Sequence, residues 1–157
     1  ETEQDFLDIR GELRDAGFLR RQGKKEQNRP AKPLEFRTPS GFRVLVGRNN
    51  RQNDKLTLKD ADYRDLWFHV QKLHGSHVIL CTNDGGRTPD AGSIEEAARL
   101  AAWFSQAREG ANVPVDYTPV KNVKKPAGAR PGMVIYSTCR TVNVAPEEGL
   151  VKKLQLS

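Results

Sequence analysis

The sequence predicts an α+β fold, a mainly antiparallel β-sheet with one principal helix packed on a face, preceded by the end of a coiled-coil helix. Three observations carry this. Short stretches alternate apolar and polar residues with the period of two expected of strands. Most are linked by hairpin-length turns. One segment, 94–108, carries a continuous apolar stripe at helical spacing.

The central strand pair is Leu66–Gln71 followed by Val78–Leu80. Leu66, Phe68 and Val70 alternate with Trp67, His69 and Gln71, so one face points to a core. The other face offers Trp67, His69, Gln71 and His77, which can stack or hydrogen-bond. Gly75 and Ser76 supply the turn. Upstream, Phe6, Ile9 and Leu13 mark a short amphipathic helix within residues 1–22, read as the last piece of a longer helix or coiled coil. Residues 23–33 are polar, with Pro30 and Pro33, and read as a linker. The organisation is therefore a helix and linker over 1–33 and a globular domain over 34–157.

Leu34–Phe36 and Phe42–Val46 are strands around the turn Thr38-Pro-Ser-Gly41. Gly47-Arg-Asn-Asn-Arg-Gln-Asn-Asp54 reads as a polar loop. Asn53 or Asp54 is expected to cap a short helix from Leu56 to Ala61. Ser93, with Glu96 three residues on, reads as a capping box opening the principal helix, which is expected to end before Gly110. Val113–Thr118 is expected at an edge or crossing, because Pro114 cannot donate to a ladder. Residues 120–132 hold four basic side chains among prolines and glycines and read as an exposed loop. Met133–Tyr136 and Thr141–Val144 are expected to form a final hairpin.

Composition narrows the function. With 157 residues, the chain holds one modest core, and no apolar run approaches the roughly 20 residues of a membrane helix. The chain begins at Glu1 and its one Met is Met133, so it is expected to be a segment of a longer protein. Cys81 and Cys139 make no disulfide framework and suit a cytoplasmic protein with reduced thiols. The net charge of +6 is unevenly placed. Residues 36–59 carry six basic and one acidic residue, hence +5, and residues 111–140 carry five and one, hence +4. Brought together, these segments would form one patch suited to a phosphate backbone. Apart, they would be two solvated loops.

Catalytic chemistry finds little support. His69, His74, His77 and Cys81 are residue types zinc uses, but their spacing matches no short zinc motif. Nothing in the sequence places a thiol beside a base. Asp60, Asp62 and Asp65 read as helix-end and turn residues. Neither a Walker loop nor a dinucleotide glycine motif is present. We expect no enzyme, no catalytic residue, no cofactor and no metal.

Several long motifs resemble one family in order and spacing. They are Val46-Gly-Arg-Asn-Asn-Arg-Gln-Asn-Asp54, Asp65-Leu-Trp-Phe-His69, Gly75-Ser-His-Val78, Glu96-Ala-Ala98, Val113-Pro-Val-Asp-Tyr-Thr118, Val120-Lys-Asn-Val-Lys-Lys-Pro126 and Pro131-Gly-Met-Val-Ile-Tyr136. Together they resemble the NFACT-R domain of the RqcH/NEMF ribosome quality control factors, whose bacterial members have also been called fibronectin-binding proteins. His74 stands where that family's pattern leads one to expect Pro. The resemblance implies an RNA-binding domain following a coiled coil, in a cytoplasmic, ribosome-associated factor. Its partners would be the large ribosomal subunit and tRNA, alanyl-tRNA in the bacterial full-length protein. Its role would be to support template-free alanine tailing of stalled nascent chains. The resemblance implies that the family's tRNA-discriminating residues are expected in an N-terminal domain outside these residues.

Joining the residues to the resemblance gives one expected RNA surface. Arg48, Arg51, Lys55 and Lys59 would meet Lys121, Lys124, Lys125 and Arg130 beside Trp67, His69 and His77. The amides of Asn49, Asn50, Gln52, Asn53 and Asn122 would contact sugars or unpaired bases. The rival class is a protein-binding module, recognising a ribosomal protein or, outside the cell, fibronectin.

Overall fold

The computed structural model describes residues 32–82 and 88–156. The expected helix over 1–22, and most of the expected linker, lie outside the described residues. A seven-stranded sheet organises the rest. Its strands are β1 (Leu34–Arg37), β2 (Arg43–Val46), β3 (Leu66–Val70), β4 (Val78–Leu80), β5 (Val113–Pro119), β8 (Arg140–Val144) and β9 (Gln155–Leu156). A separate two-stranded ribbon is formed by β6 (Val123–Lys124) and β7 (Ile135–Tyr136). The sheet runs β8-β5-β3-β4-β2-β1-β9, and every pairing is antiparallel. The helices are α1 (Asn50–Lys55), α2 (Ala91–Trp103) and α3 (Glu148–Leu154).

Register explains why the sheet has two different faces. Val44 pairs with Leu80 and Leu80 with Leu66, while Val46 pairs with Val78 and Val78 with Phe68. These rows put large apolar groups on one face. Ala97, Ala98, Leu100, Ala101 and Ala102 of α2 pack against it, with Val151 and Leu154 of α3. The alanines let the helix lie close to the strands. The adjacent register row, Leu45–Ile79–Trp67–Thr118, projects to the opposite face.

That opposite face differs from the sequence expectation. Trp67 and His77 are each 1% exposed, so they belong to a second core rather than to an open surface. Trp67, Ile79 and Cys81 are covered by Leu56, Val120 and Val123, with Val134 and Tyr136 alongside. The covering pieces are the continuation of α1, a wider-wound π turn over Leu56–Asp60, and the ribbon β6–β7. The fold thus has three layers, with α2 on one side of the sheet and a thin layer of helix and ribbon on the other.

Four local expectations are corrected. α1 begins earlier than predicted: Asn49, extended at φ −153°, is the N-cap, and its side chain accepts from Gln52 N–H at 2.8 Å. Gln52 in return accepts from Arg48 N–H at 2.6 Å, a close relative of the capping box. The asparagine-rich stretch is therefore helix rather than loop.

α2 also starts earlier, because Asp90 caps it, accepting from Ser93 N–H at 3.1 Å. It ends at Trp103 because the following backbone pairs elsewhere. Ser76 N–H donates to Phe104 O at 2.9 Å and Gln106 N–H to His74 O at 3.0 Å.

β5 is interior, between β3 and β8. Pro114 is tolerated because it lies opposite Gln71, just past the end of β3. There Gln71 N–H donates to the Pro114 carbonyl at 3.1 Å, and the proline costs the ladder only the reciprocal bond of this last pair. Finally, β7 pairs with β6 and β8 with β5, so the expected last hairpin is split between two sheets.

Phe68 is fully buried between β4 and β5, its ring stacked on Tyr117 with centroids 5.2 Å apart. Phe68→Ala is expected to lower unfolding free energy by about 3–5 kcal/mol, read from the shift of the urea midpoint at constant slope.

Candidate nucleic-acid interface

The two basic segments meet. Asp54 of α1 carries the junction: Gly132 N–H donates to its Oδ1 at 3.0 Å, and Lys125 Nζ lies 3.1 Å from its Oδ2. Lys125 Nζ also donates to the carbonyls of Arg130 at 2.5 Å and Met133 at 3.2 Å. One lysine thus closes the loop between β6 and β7 on itself and fastens it to the helix. Gly132 is required at this contact. Its φ is +85°, and a Cβ there would stand 2.5 Å from Asn50 Oδ1.

His77 holds the same junction from below. Its ring contacts Thr57 Oγ1 through Nδ1 at 2.8 Å and the Gly132 carbonyl through Nε2 at 3.3 Å. A carbonyl can only accept, so Nε2 carries the proton and Nδ1 accepts from the Thr57 hydroxyl. The backbone N–H of His77 donates to Asn53 Oδ1 at 3.1 Å. Burial, reinforced by the neighbouring His69 ring and by Lys125, pushes the His77 pKa down to about 3. Trp67 lies edge-on to His77, with centroids 5.4 Å apart, and flat against His69 at 5.7 Å. His69 is partly exposed, and its pKa is lowered, chiefly by burial.

A second polar cluster borders this one. Asp116, 4% exposed, accepts from Tyr136 O–H at 2.7 Å, Thr141 O–H at 2.7 Å and Gln71 Nε2 at 2.8 Å. It secures the outer ribbon to β5 and β3. Desolvation, with the Asp116 carboxylate alongside, raises the Tyr136 pKa and keeps that hydroxyl a donor.

The candidate residues now sort by position. Arg48, Arg51, Lys55, Lys59, Lys121, Lys124 and Arg130 are exposed. Lys55 pairs with Asp60 at 3.3 Å, and Lys125 is committed to Asp54. Trp67, His77 and Asn53 are buried and support the layer from within. Asn49 caps α1 and Gln52 holds Arg48 N–H, while Asn122 donates to Thr118 Oγ1 at 2.9 Å. Asn50 is partly exposed and lies against Gly132. Sequence reasoning missed Asp54, Thr57, Asp116 and Gly132 as organising residues. One signal was present: Asn49-x-x-Gln52 is a cap pair that places the helix start correctly. Among the described residues no group of three or more His, Cys, Asp or Glu side chains is placed to hold a metal ion. No described helix is long and apolar enough to cross a membrane.

The class so defined is an α+β domain that carries a cationic helix-and-ribbon layer on one face of an antiparallel sheet. Residues 32–137 match the NFACT protein RNA binding domain, and the chain belongs to that family. It is 42% identical, over 98% of its length, to the Rqc2 homolog RqcH of Bacillus subtilis (strain 168). It is 38% identical, over 95% of its length, to the Rqc2 homolog RqcH of Streptococcus suis (strain 05ZYH33). The chain spans 27% of the length of each of these relatives. It superposes with a TM-score of 0.80 on the C-terminal part of a fibronectin/fibrinogen-binding protein from Streptococcus suis. That match is 38% identical and covers 95% of this chain and 59% of the other.

The histidine lock predicts a pH dependence. His77 titrates near 6.5 when unfolded and near 3 when folded, so the unfolded chain binds the extra proton between those values. Its contribution to stability is complete above about pH 6.5 and is lost as pH falls toward 3, with a limiting slope of about 1.4 kcal/mol per pH unit. Urea unfolding at a series of pH values between these limits should show the decline. His77→Gln should flatten it while lowering stability at neutral pH.

Proposed function

We propose that this chain is the RNA-binding domain of a ribosome quality control factor. It would contact tRNA or ribosomal RNA on the obstructed large subunit and so support template-free alanine tailing by the full-length protein. One observation carries the reading: Asp54 and His77 hold together two basic segments that lie some seventy residues apart in the chain. Exposed Arg48, Arg51, Lys59, Lys121, Lys124 and Arg130 therefore flank a single layer. Cations gathered on one layer suit phosphates, whose contacts supply affinity without reading sequence. Family membership points the same way. The buried rings of Trp67 and His77 act in this reading by setting the layer's shape, not by stacking on bases.

Binding of protein is the second reading. It draws on exposed Met133 and Ile135, 51% and 58% accessible, along the outer side of the ribbon, and on the fibronectin/fibrinogen-binding structural relative.

If about four phosphates are neutralised, the logarithm of RNA affinity should fall with the logarithm of salt concentration at a slope near −3 to −4. Changing Lys121 and Lys124 together to Glu should weaken RNA binding strongly, flatten that slope and leave the melting temperature unchanged, since neither side chain anchors the layer. Lys125→Glu should lower both RNA affinity and melting temperature, because it breaks the bond to Asp54. A salt-independent affinity, or binding untouched by the double change, would reject the reading in favour of protein recognition.

A further inference from the structure

A cleft of about 500 Å³ opens at the end of the sheet where β1 begins, β2 ends and the chain leaves α2. Its lining includes Leu34, Gly47, Arg48, Ser76, Phe104 and Arg108. Among the described residues it therefore offers two arginines and an apolar wall, with no acidic side chain. Arg108 lies outside both basic segments.

The two arginines are prepared differently. Arg108 is held in place: its Nε donates to the Trp103 carbonyl at 2.9 Å, and its guanidinium lies over the Trp103 ring at 4.6 Å. Its two terminal nitrogens have no partner among the described residues, so their four N–H donors remain to be used. Arg48 is anchored by its backbone, through Gln52, and its guanidinium has no partner among the described residues. The backbone amides at the rim are already spent. Gly47 N–H donates to His77 O at 3.0 Å and Ser76 N–H to Phe104 O at 2.9 Å. Anion recognition here falls to the guanidinium groups. Phe104 is partly exposed and is braced from behind by Phe36, with centroids 5.9 Å apart.

The ligand must match both halves. Inorganic phosphate would leave Leu34 and Phe104 uncovered. A duplex keeps its base faces stacked inside and cannot fill a cleft with them. An unpaired nucleotide has an apolar face and a phosphate on either side, and the volume lies within the usual range for small-ligand sites, about 300–1,000 Å³. We propose that this cleft receives one unpaired nucleotide of a single-stranded RNA, with the base against Phe104 and Leu34 and the flanking phosphates on Arg48 and Arg108. The inference rests on the RNA-binding reading and adds a preference for single strands. Arg48 belongs to both features, because α1 and its basic face begin immediately after it.

The test uses the 157-residue chain, a short fluorescein-labelled oligouridine, and a blunt RNA duplex of matched length. Fluorescence anisotropy is measured for the unaltered chain, Arg108→Gln, Phe104→Leu and the Lys121→Glu/Lys124→Glu double variant. Single-strand affinity should fall about tenfold in each of the first two variants, with duplex affinity unchanged within about twofold. The double variant should weaken both RNAs alike. A 4-thiouridine-substituted oligomer should crosslink to the peptides containing Leu34 or Phe104 in the unaltered chain. Arg108→Gln tests the cleft without touching the core, should Phe104→Leu lower the melting temperature. Unchanged single-strand affinity in Arg108→Gln, with loss in the double variant, would overturn the cleft alone. So would equal competition by an oligoglutamate peptide. Absence of binding to either RNA at low salt would overturn the RNA reading beneath it.

Discussion

The buried imidazole of His77 is the constraint on which the outer layer depends. One residue joins β4 to three separate pieces of chain: Asn53 in α1, Thr57 in the π turn and Gly132 in the loop between β6 and β7. Each hydrogen bond forms inside a packed region, where an unpaired polar group costs about 1–3 kcal/mol. The two ring bonds are those of a neutral imidazole with its proton on Nε2, and burial supplies the neutral form, while the bond to Asn53 is made by the backbone N–H. Trp67, packed edge-on to His77 and against Tyr136 at 4.6 Å, fills the remaining space beneath the layer.

On that base the layer keeps cations close together that would otherwise repel. Asp54 is the one acid in the run 36–59, and it is placed at the contact between the segments. It neutralises Lys125 and receives Gly132 N–H, and so converts local charge into attachment. The remaining cations stay on the outside. Backbone carbonyls as well as the carboxylate hold Lys125 in position at this junction. Asp116 performs the corresponding work at the far end, binding Tyr136 of the ribbon to the sheet through side chains alone.

The strands were largely legible because period-two alternation reports one face honestly. Leu66, Phe68 and Val70 were assigned to the core; Phe68 and Val70 lie in it, and Leu66 packs against it, partly buried. The other face misled for a specific reason. Trp67, His69 and His77 are residue types found equally in wet surfaces and in buried polar cores, and their alternation cannot tell which. Boundaries failed where a cap had competitors. Ser93 fits a capping box, but Asp90 takes the role and donors from Ser93 bond to it. Asn53 and Asp54 are good caps too, yet Asn49 starts α1 and frees them to reach His77 and Lys125.

By itself the sequence determined the class, an antiparallel sheet with a principal helix, and the two places where positive charge accumulates. Both follow from local pattern: apolar period and residue count need no knowledge of distant contacts. Only the tertiary structure decided that the charged segments share one face, that Trp67 and His77 lie beneath rather than on the surface, and that Pro114 sits in an interior strand. Those outcomes depend on pairings such as Asp54 with Gly132, and a hydrogen bond between residues so far apart leaves no mark in the spacing of either segment.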